Sequence, residues 1–513
     1  MILRALMLLP GIVLLVMLTV VMAGCGFTLP ENSAQRSMAL PPAEKSPLGR
    51  IVSEMEAAHQ PELSGIVPLA NGADAFAARM LLADLATTSI DAQYYIWRAD
   101  LTGYLLLDRL MQAANRGVRV RLLLDDHGTA GLDPEIVSLA VHPNIEVRLW
   151  NPFPLRRFKI LSFSYDFFRL NRRMHNKSFT VDGRACILGG RNVGDEYFNT
   201  GVTPLFVDLD VLVVGQVVPA ISEDFDRYWN SPSSYPAEQI VAHPKQSDPI
   251  DARLDLFRNT EQMEEYRGVL ERSSLIGSLV DGTLEMEWTT AVLVSDDPKK
   301  GQGAIPYEDL LGGRLTEAVG EIETRLDGVS AYFVPGKEGV KTFTDLEARG
   351  VEVRILTNSL EATDVLPVHA GYAKRRASLL AGGVELFELQ PQALTGATKH
   401  KLGPFGSSGA SLHAKTFAVD GQRIFVGSFN FDPRSATLNT EMGVLLDSAQ
   451  LASTLHQAFD NDFMGAAWRV EKRNGKLVWI EPDTPTLTAE PGATLWRKIA
   501  LKFIGWLPVE WLL

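Results

Sequence analysis

Two stretches of this 513-residue chain decide how it folds: MHNKSFTVDGRACILGG at 174–190 and LHAKTFAVDGQRIFVGS at 412–428. Each carries His-x-Lys-x4-Asp, as His175, Lys177 and Asp182 in the first and His413, Lys415 and Asp420 in the second. In an extended chain residues i and i+2 face the same way. Each histidine therefore shares a face with its lysine, and Asn176 and Ala414 turn away. An imidazole beside an ammonium suits the chemistry of an anionic phosphodiester. The two aspartates are expected to hold the turn after the strand and not to touch substrate. A glycine turn follows each apolar strand: Gly189-Gly190-Arg191-Asn192, and Gly427-Ser428-Phe429-Asn430. Glycine lets backbone approach an anion closely. The Ser428 hydroxyl and the amides of Asn192 and Asn430 are candidate donors to phosphate oxygens.

Working outward, the same order of elements occurs twice. The first copy runs through a helix over 75–86, the strand SIDAQYYIW, a helix to Ala114, the strand of RGVRVRLLLDD, and NIEVRLWNPFP. The second runs through LLGGRLTEAVGEIETRL, GVSAYFVP, KTFTDLEARGVEVRILTNS and GVELFELQP. Strands alternating with helices predict an α/β class with largely parallel pairing. The duplication predicts two similar α/β domains, each a mixed sheet flanked by helices, related by a pseudo-two-fold axis with one site at their interface. The boundaries read as 61–231 and 286–470, with a polar linker over 232–285 and a C-terminal tail over 471–513.

Composition narrows the function. Apolar residues make up 46% and charged residues 22%, ordinary for globular domains. The formal charge of −13 opposes binding to nucleic acid. The only cysteines are Cys25 and Cys186, too few for a disulfide framework or a zinc cluster. No metal and no cofactor is expected.

The paired motifs resemble the HKD motifs of the phospholipase D superfamily, including the trailing Gly-Ser-x-Asn element and, in the second copy, Asn439-x-Glu441. The resemblance covers about 400 residues. GGRNVGDEYF, FVDLDVLVVGQVV, GYAKRRASLLAGGVELFEL and GSFNFDPRSATLNTEMG are further similar to bacterial cardiolipin synthases, in their C-type branch. The resemblance implies a metal-independent, two-step transfer. One histidine, by likeness His175, attacks phosphorus to form a phosphohistidine, and the other, His413, protonates the leaving alcohol and then activates the acceptor. Lys177 and Lys415 would neutralise the phosphoryl oxygens. Each imidazole needs an acceptor at its other nitrogen. Glu441 stands where the superfamily places one, and aligning DLDVLV on EMGVLL makes Asp208 its counterpart. The implied activity moves a phosphatidyl group from phosphatidylglycerol or phosphatidylethanolamine onto phosphatidylglycerol. Hydrolysis to phosphatidic acid by a phospholipase D is the alternative reading, and a non-catalytic lipid-binding protein the third. One departure is Gly190, which stands where the second copy has Ser428.

Several segments point to a membrane. Arg4 precedes an apolar run from Ala5 to Gly24, and Met22-Ala23-Gly24-Cys25 resembles a lipobox, so residues 1–25 read as a signal peptide with a lipidated Cys25, or as a membrane anchor. Residues 26–60 read as a flexible tether. The stretch 153–173 carries six Lys/Arg and six Phe/Tyr directly before His175. Its Arg156, Arg157, Arg172 and Arg173 are expected to draw an anionic headgroup. The tail LWRKIALKFIGWLPVEWLL reads as an amphipathic interface segment. The expected partners are phospholipids and a membrane, with any accessory protein unidentified. The expected location is the periplasmic side of a bacterial envelope membrane, inner or outer.

Overall fold

The apolar runs of each repeat form a nine-stranded mixed sheet. The computed structural model describes residues 28–198, 206–242, 249–390 and 411–513, apart from a few positions at 274–282, 464–465, 483 and 508–509. The lipobox and Cys25 lie outside the described residues. In the first half the strands are β1 (Ser64–Leu69), β2 (Ser89–Ile96), β3 (Arg119–Gly128), β4 (Ile145–Trp150), β5 (Ser178–Val181), β6 (Ala185–Gly189), the short β7 (Phe206–Val207), β8 (Asp210–Gly215), β9 (Ser234–Pro236) and β10 (Glu287–Thr289). All but β7 join one sheet in the order β10-β1-β8-β6-β5-β2-β3-β4-β9. The second half supplies β11 (Ala291–Ser295), β12 (Arg325–Ser330), β13 (Glu352–Asn358), β14 (Glu385–Leu389), the short β15 (Ser411–Leu412), β16 (Lys415–Val419), β17 (Arg423–Gly427), β18 (Met442–Leu446), β19 (Ala467–Arg473) and β20 (Lys476–Ile480). All but β15 form the sheet β11-β18-β17-β16-β12-β13-β14-β19-β20. Pairing is parallel within β2-β3-β4 and within β12-β13-β14, where helices make the crossovers, and antiparallel elsewhere in both sheets, so the largely parallel pairing expected from the repeats holds only for three strands of each.

The VDGR and VDGQ segments close two equivalent hairpins, β5–β6 and β16–β17. Asp182 and Gly183 have φ of 54° and 62°, and Asp420 and Gly421 have 53° and 64°. Two successive positive φ values make the hairpin turn whose twist matches the strands, and Asp-Gly is the pair that tolerates it. Each aspartate then ties its turn to a neighbouring strand. Asp182 accepts from the amides of Thr87, Thr88 and Ser89, and Asp420 from those of Glu323, Thr324 and Arg325.

The two halves meet through a shared core. Strands β6 and β8 are apolar on both faces, and one of those faces packs against β16–β18: Leu188, Val211 and Val213 share a buried cluster with Ala418, Val426 and Val444. Burying both faces is what continuous apolar runs such as VLVV require.

The boundaries differ from the sequence expectation. Over the described residues 28–60 the expected tether is an ordered segment laid along the first domain. Arg121 and Arg148, both nearly inaccessible, donate to the carbonyls of Ser37 and Gln35, and Trp229 Nε1 donates to Ser37 Oγ at 2.8 Å. Leu48 and Val52, on the helix Pro47–Glu56, enter the first core. The expected linker also belongs to the first domain. It supplies the edge strand β9 and buries Ala237, Val241, Ile250 and Tyr266 in that core. Strand β10 pairs with β1, so the second sheet begins at β11, and it continues through β20, past the expected boundary at 470.

Candidate active site

Each histidine stands just ahead of a hairpin strand, and the opposite domain holds it there. The His175 amide donates to the Thr440 carbonyl at 2.8 Å, beside a parallel bridge between Met174 and Thr440. The His413 amide donates to the Val207 carbonyl at 2.8 Å, beside the parallel pair β7–β15 that joins Leu412 to Val207. Thr440 precedes Glu441 and Val207 precedes Asp208. Pairing the residue before each histidine with the residue before the other domain's acid sets imidazole against carboxylate. His175 Nδ1 lies 2.7 Å from Glu441 Oε2, and His413 Nδ1 lies 2.5 Å from Asp208 Oδ2. The sequence singled out both acids, and the structure shows that the pairs cross the domain interface. Neither domain alone contains an oriented histidine.

A carboxylate on Nδ1 draws the proton there and leaves the Nε2 lone pair free. Burial supports this state. It is the main cause that pushes His175 down to about 4, against the pull of Glu441, and His413 down to about 3, with Lys415 acting in the same direction. Burial alone would raise Asp208, yet His413, Lys415 and Arg191 hold it well below the usual carboxylate range. Glu441 is lowered in the same way by His175 and Lys177. The two sites thus hold neutral imidazoles against anionic carboxylates, with two buried ammonium groups close by.

Lys177 Nζ donates to the His175 carbonyl at 2.5 Å, and Lys415 Nζ makes the equivalent bond to His413. Each ammonium also lies against a tyrosine ring, Lys177 at 5.6 Å from Tyr95 and Lys415 at 5.9 Å from Tyr332. Burial is the largest cause that lowers Lys177 to about 7 and Lys415 to about 8, with Glu441 and Asp208 pulling the other way. A lysine is charged below its pKa, and charge is what a phosphoryl oxygen needs. In the free enzyme kcat/KM should therefore fall as pH rises through about 7 to 8, where an unperturbed lysine would hold the plateau to near pH 10. A pH–rate profile at subsaturating substrate checks this, and a plateau extending to pH 10 would refute it.

Of the remaining sequence-selected residues, Asp182 and Asp420 sit at the far ends of the hairpins and serve their turns, as expected. The Asn192 side chain accepts from the Ile96 amide and donates to the Tyr197 hydroxyl at 3.1 Å. Asn430 accepts from the Tyr332 amide at 3.3 Å. The two asparagines thus anchor equivalent strand ends. Ser428 departs from expectation. Its hydroxyl donates to Glu441 Oε2 at 2.5 Å and accepts from the Met442 amide, so it braces the acid and is not available to phosphate. The basic stretch is also corrected. Arg156 pairs with Asp126 and Asp133, Arg173 with Asp125, and Arg172 donates to the carbonyls of Lys300 and Thr437. Arg157 alone of the four is exposed without an ion pair among the described residues.

Gly190 explains its own departure from Ser428. A Cβ built there would stand 2.0 Å from Asp208 Oδ1. The shorter acid of this half reaches His413 only through space that a side chain would fill. Gly190→Ser should therefore displace Asp208 and lower kcat on the order of a hundredfold, because small misplacements of an orienting group are costly. Steady-state kinetics, with circular dichroism as a fold control, reads this. Unchanged turnover would show that Asp208 is not held by the gap.

Several residues escaped sequence reading. Tyr95 packs edge-on against His175 at 5.0 Å, and Tyr197, Phe206 and Tyr332 surround His413 at 5.2, 5.1 and 6.5 Å. The available signal was that QYYIW and SAYFVP both carry tyrosine where the strand runs out toward the histidines.

Comparison with known proteins gives the family. The family model described as "Cardiolipin synthase, PLD-like domain" matches twice, at 82–229 and 315–463, each match enclosing one His-x-Lys-x4-Asp motif. The chain belongs to the cardiolipin synthase, phospholipase D-like family. Within this family, cardiolipin synthase C of Escherichia coli (strain K12) is 47% identical over 459 residues, covering 88% of this chain and 97% of that protein. A cardiolipin synthase of Staphylococcus aureus is 25% identical over 398 residues, covering 77% of this chain and 67% of that protein. The crystal structure of phosphatidylserine synthase from Haemophilus influenzae Rd KW20 shares the fold, with a TM-score of 0.56 at 15% identity, over 90% of this chain and all of that one. Each of the two matched repeats supplies the carboxylate that faces the other's histidine.

Proposed function

We propose that the chain is a phosphatidyltransferase that makes cardiolipin, taking the phosphatidyl group from phosphatidylglycerol or phosphatidylethanolamine and giving it to phosphatidylglycerol. The observation that carries this reading is the pair of crossed His–carboxylate couples, which supply two equivalent imidazoles with free Nε2 atoms beside two ammonium groups. In the first step His175 Nε2 bonds to phosphorus as the P–O bond to the donor headgroup breaks. His413, protonated at Nε2 once the anionic phosphodiester is bound, gives that proton to the leaving oxygen. In the second step His413 takes the proton from the acceptor hydroxyl, the new P–O bond forms and the P–N bond breaks. Asp208 and Glu441 hold both imidazoles in the needed tautomer, and Lys177 and Lys415 neutralise the phosphoryl oxygens.

The same intermediate would give phosphatidic acid if water were the acceptor. The near-complete burial of His175 and His413, 6% and 5% exposed, supports transfer, because excluding water protects a reactive intermediate. The fold works at a membrane, with residues 1–25 as a lipidated or membrane-inserted anchor and the domains on the periplasmic side. Among the described residues no helix is long and apolar enough to cross a membrane. Products formed from mixed lipid vesicles distinguish the readings: cardiolipin for transfer, phosphatidic acid for hydrolysis.

A further inference from the structure

Of the seventeen large apolar side chains exposed among the described residues, five lie on 158–168 and six on 495–511. The first group belongs to the helix Lys159–Leu170 and the residue before it, in the first domain. Ile160 is 85% and Phe168 75% exposed, one on each side of a break in the helix at Asp166. The second group belongs to the helix Leu495–Trp506 and the short turn after it, packed on the second domain. Here Trp496, Ile499, Phe503 and Trp506 follow one another at spacings of three and four, so they form one stripe, with Trp496 at 78% and Trp506 at 80% exposed. Lys498 and Lys502 flank that stripe, and exposed Arg157 flanks the first group.

The two groups meet. Phe167 and Trp511 meet edge-on with ring centroids 6.4 Å apart. Arg434 binds both sides at once. It donates to the carbonyl and side-chain oxygen of Asn171, the C-cap of the first helix, and to the carbonyl of Leu512. Arg375 makes a bidentate pair with Glu510, which fixes the second side to its own domain. Arg434 lies four residues after Asn430, and Asn171 four residues before His175, so the joint is continuous with the candidate active site.

We propose that these two elements form one bilayer-docking platform, with the apolar groups among the acyl chains and Arg157, Lys498 and Lys502 at anionic headgroups. A single apolar surface drawn from both domains, rimmed by cations in an otherwise acidic protein, fits a lipid interface with negative charge. The inference rests on the reading that the substrate is a bilayer phospholipid, since the platform would then set the site at the depth of the headgroups.

Tryptophan quenching tests it in the full chain. Of nine tryptophans, only Trp496, Trp506 and Trp511 are exposed, and none lies in residues 1–27, so anchoring by that segment alone would leave no tryptophan among acyl chains. With vesicles of phosphatidylglycerol and phosphatidylcholine carrying bromine on the acyl chains, emission of the protein should be quenched. Replacing the three tryptophans by phenylalanine should remove most of that quenching. Phe168→Trp in that background should restore it from the first-domain side, and the same substitution in the unaltered chain should increase it. Lys498→Gln and Lys502→Gln should each weaken partition onto the anionic vesicles by up to about fivefold. Absence of quenching, or quenching that survives the triple replacement, would overturn the platform, and an unquenched Trp at 168 would remove the first-domain half of it. Quenching needs no turnover, so it stands or falls separately from cardiolipin formation, which the product assay reads.

Discussion

Replacing either His175 or His413 with alanine should lower turnover by on the order of a thousandfold or more, about 4 kcal/mol of transition-state stabilisation. The expectation follows from the division of labour between two buried imidazoles. One must bond to phosphorus and the other must deliver and retrieve a proton. Loss of the first removes the covalent route, and loss of the second leaves an alkoxide to depart unprotonated. Because the pair acts as a unit, the double variant should be little slower than either single one. The fold should survive, since both side chains end at the interface and neither supports a strand. Single-turnover kinetics with labelled phospholipid measures this. Near-normal turnover in either variant would contradict the two-histidine scheme.

The next largest effect is expected at the crossed acids. In Asp208→Asn and Glu441→Gln an amide replaces the carboxylate opposite Nδ1, at 2.5 and 2.7 Å in the native pairs. Its NH2 group can donate to Nδ1 and so favours the tautomer with the proton on Nε2, the atom that must be free. Comparable loss of tautomer control costs on the order of 10² to 10⁴ in rate. The crossing makes the prediction specific. Asp208→Asn should impair the step served by His413 in the other domain, and Glu441→Gln the step served by His175. If His175 is the nucleophile, Glu441→Gln slows formation of the phosphohistidine, while Asp208→Asn lets it form when the departing alcohol is a good leaving group. Rapid-quench trapping with such an activated substrate separates the two. Identical behaviour of both variants would mean that the acids do not act through separate histidines.

Much of this site was legible in the sequence because its parts are local. The i, i+2 spacing places His175 beside Lys177 and His413 beside Lys415, and Asp-Gly closes both hairpins. Aligning DLDVLV on EMGVLL finds both carboxylates. What the sequence could not show is tertiary. The two-residue strand β7 has no periodicity of its own, and it exists because Val207 pairs with Leu412 in the other domain. The crossing of the acids depends on that pair and on Met174 with Thr440. Residues 26–60 read as a tether because they are rich in Pro, Ser, Ala and Glu and lack periodicity, yet the buried guanidinium groups of Arg121 and Arg148 each take one of their acceptors from this segment, at Ser37 and Gln35. A hydroxyl after a glycine turn is a good donor, which makes Ser428 read as a phosphate ligand, but Glu441 takes that hydrogen bond. The arginines before His175 read as free charge in the sequence, while Asp125, Asp126 and Asp133 neutralise two of them.

The product formed from a bilayer tests the central claim most directly. Purified full-length protein is incubated with vesicles containing phosphatidylglycerol and phosphatidylethanolamine, and cardiolipin and phosphatidic acid are both quantified. The buried histidines and the lipid-alcohol acceptor predict that cardiolipin dominates, and that His175→Ala and His413→Ala abolish both products together. Phosphatidic acid as the main product in every lipid mixture would contradict the account and make the protein a hydrolase.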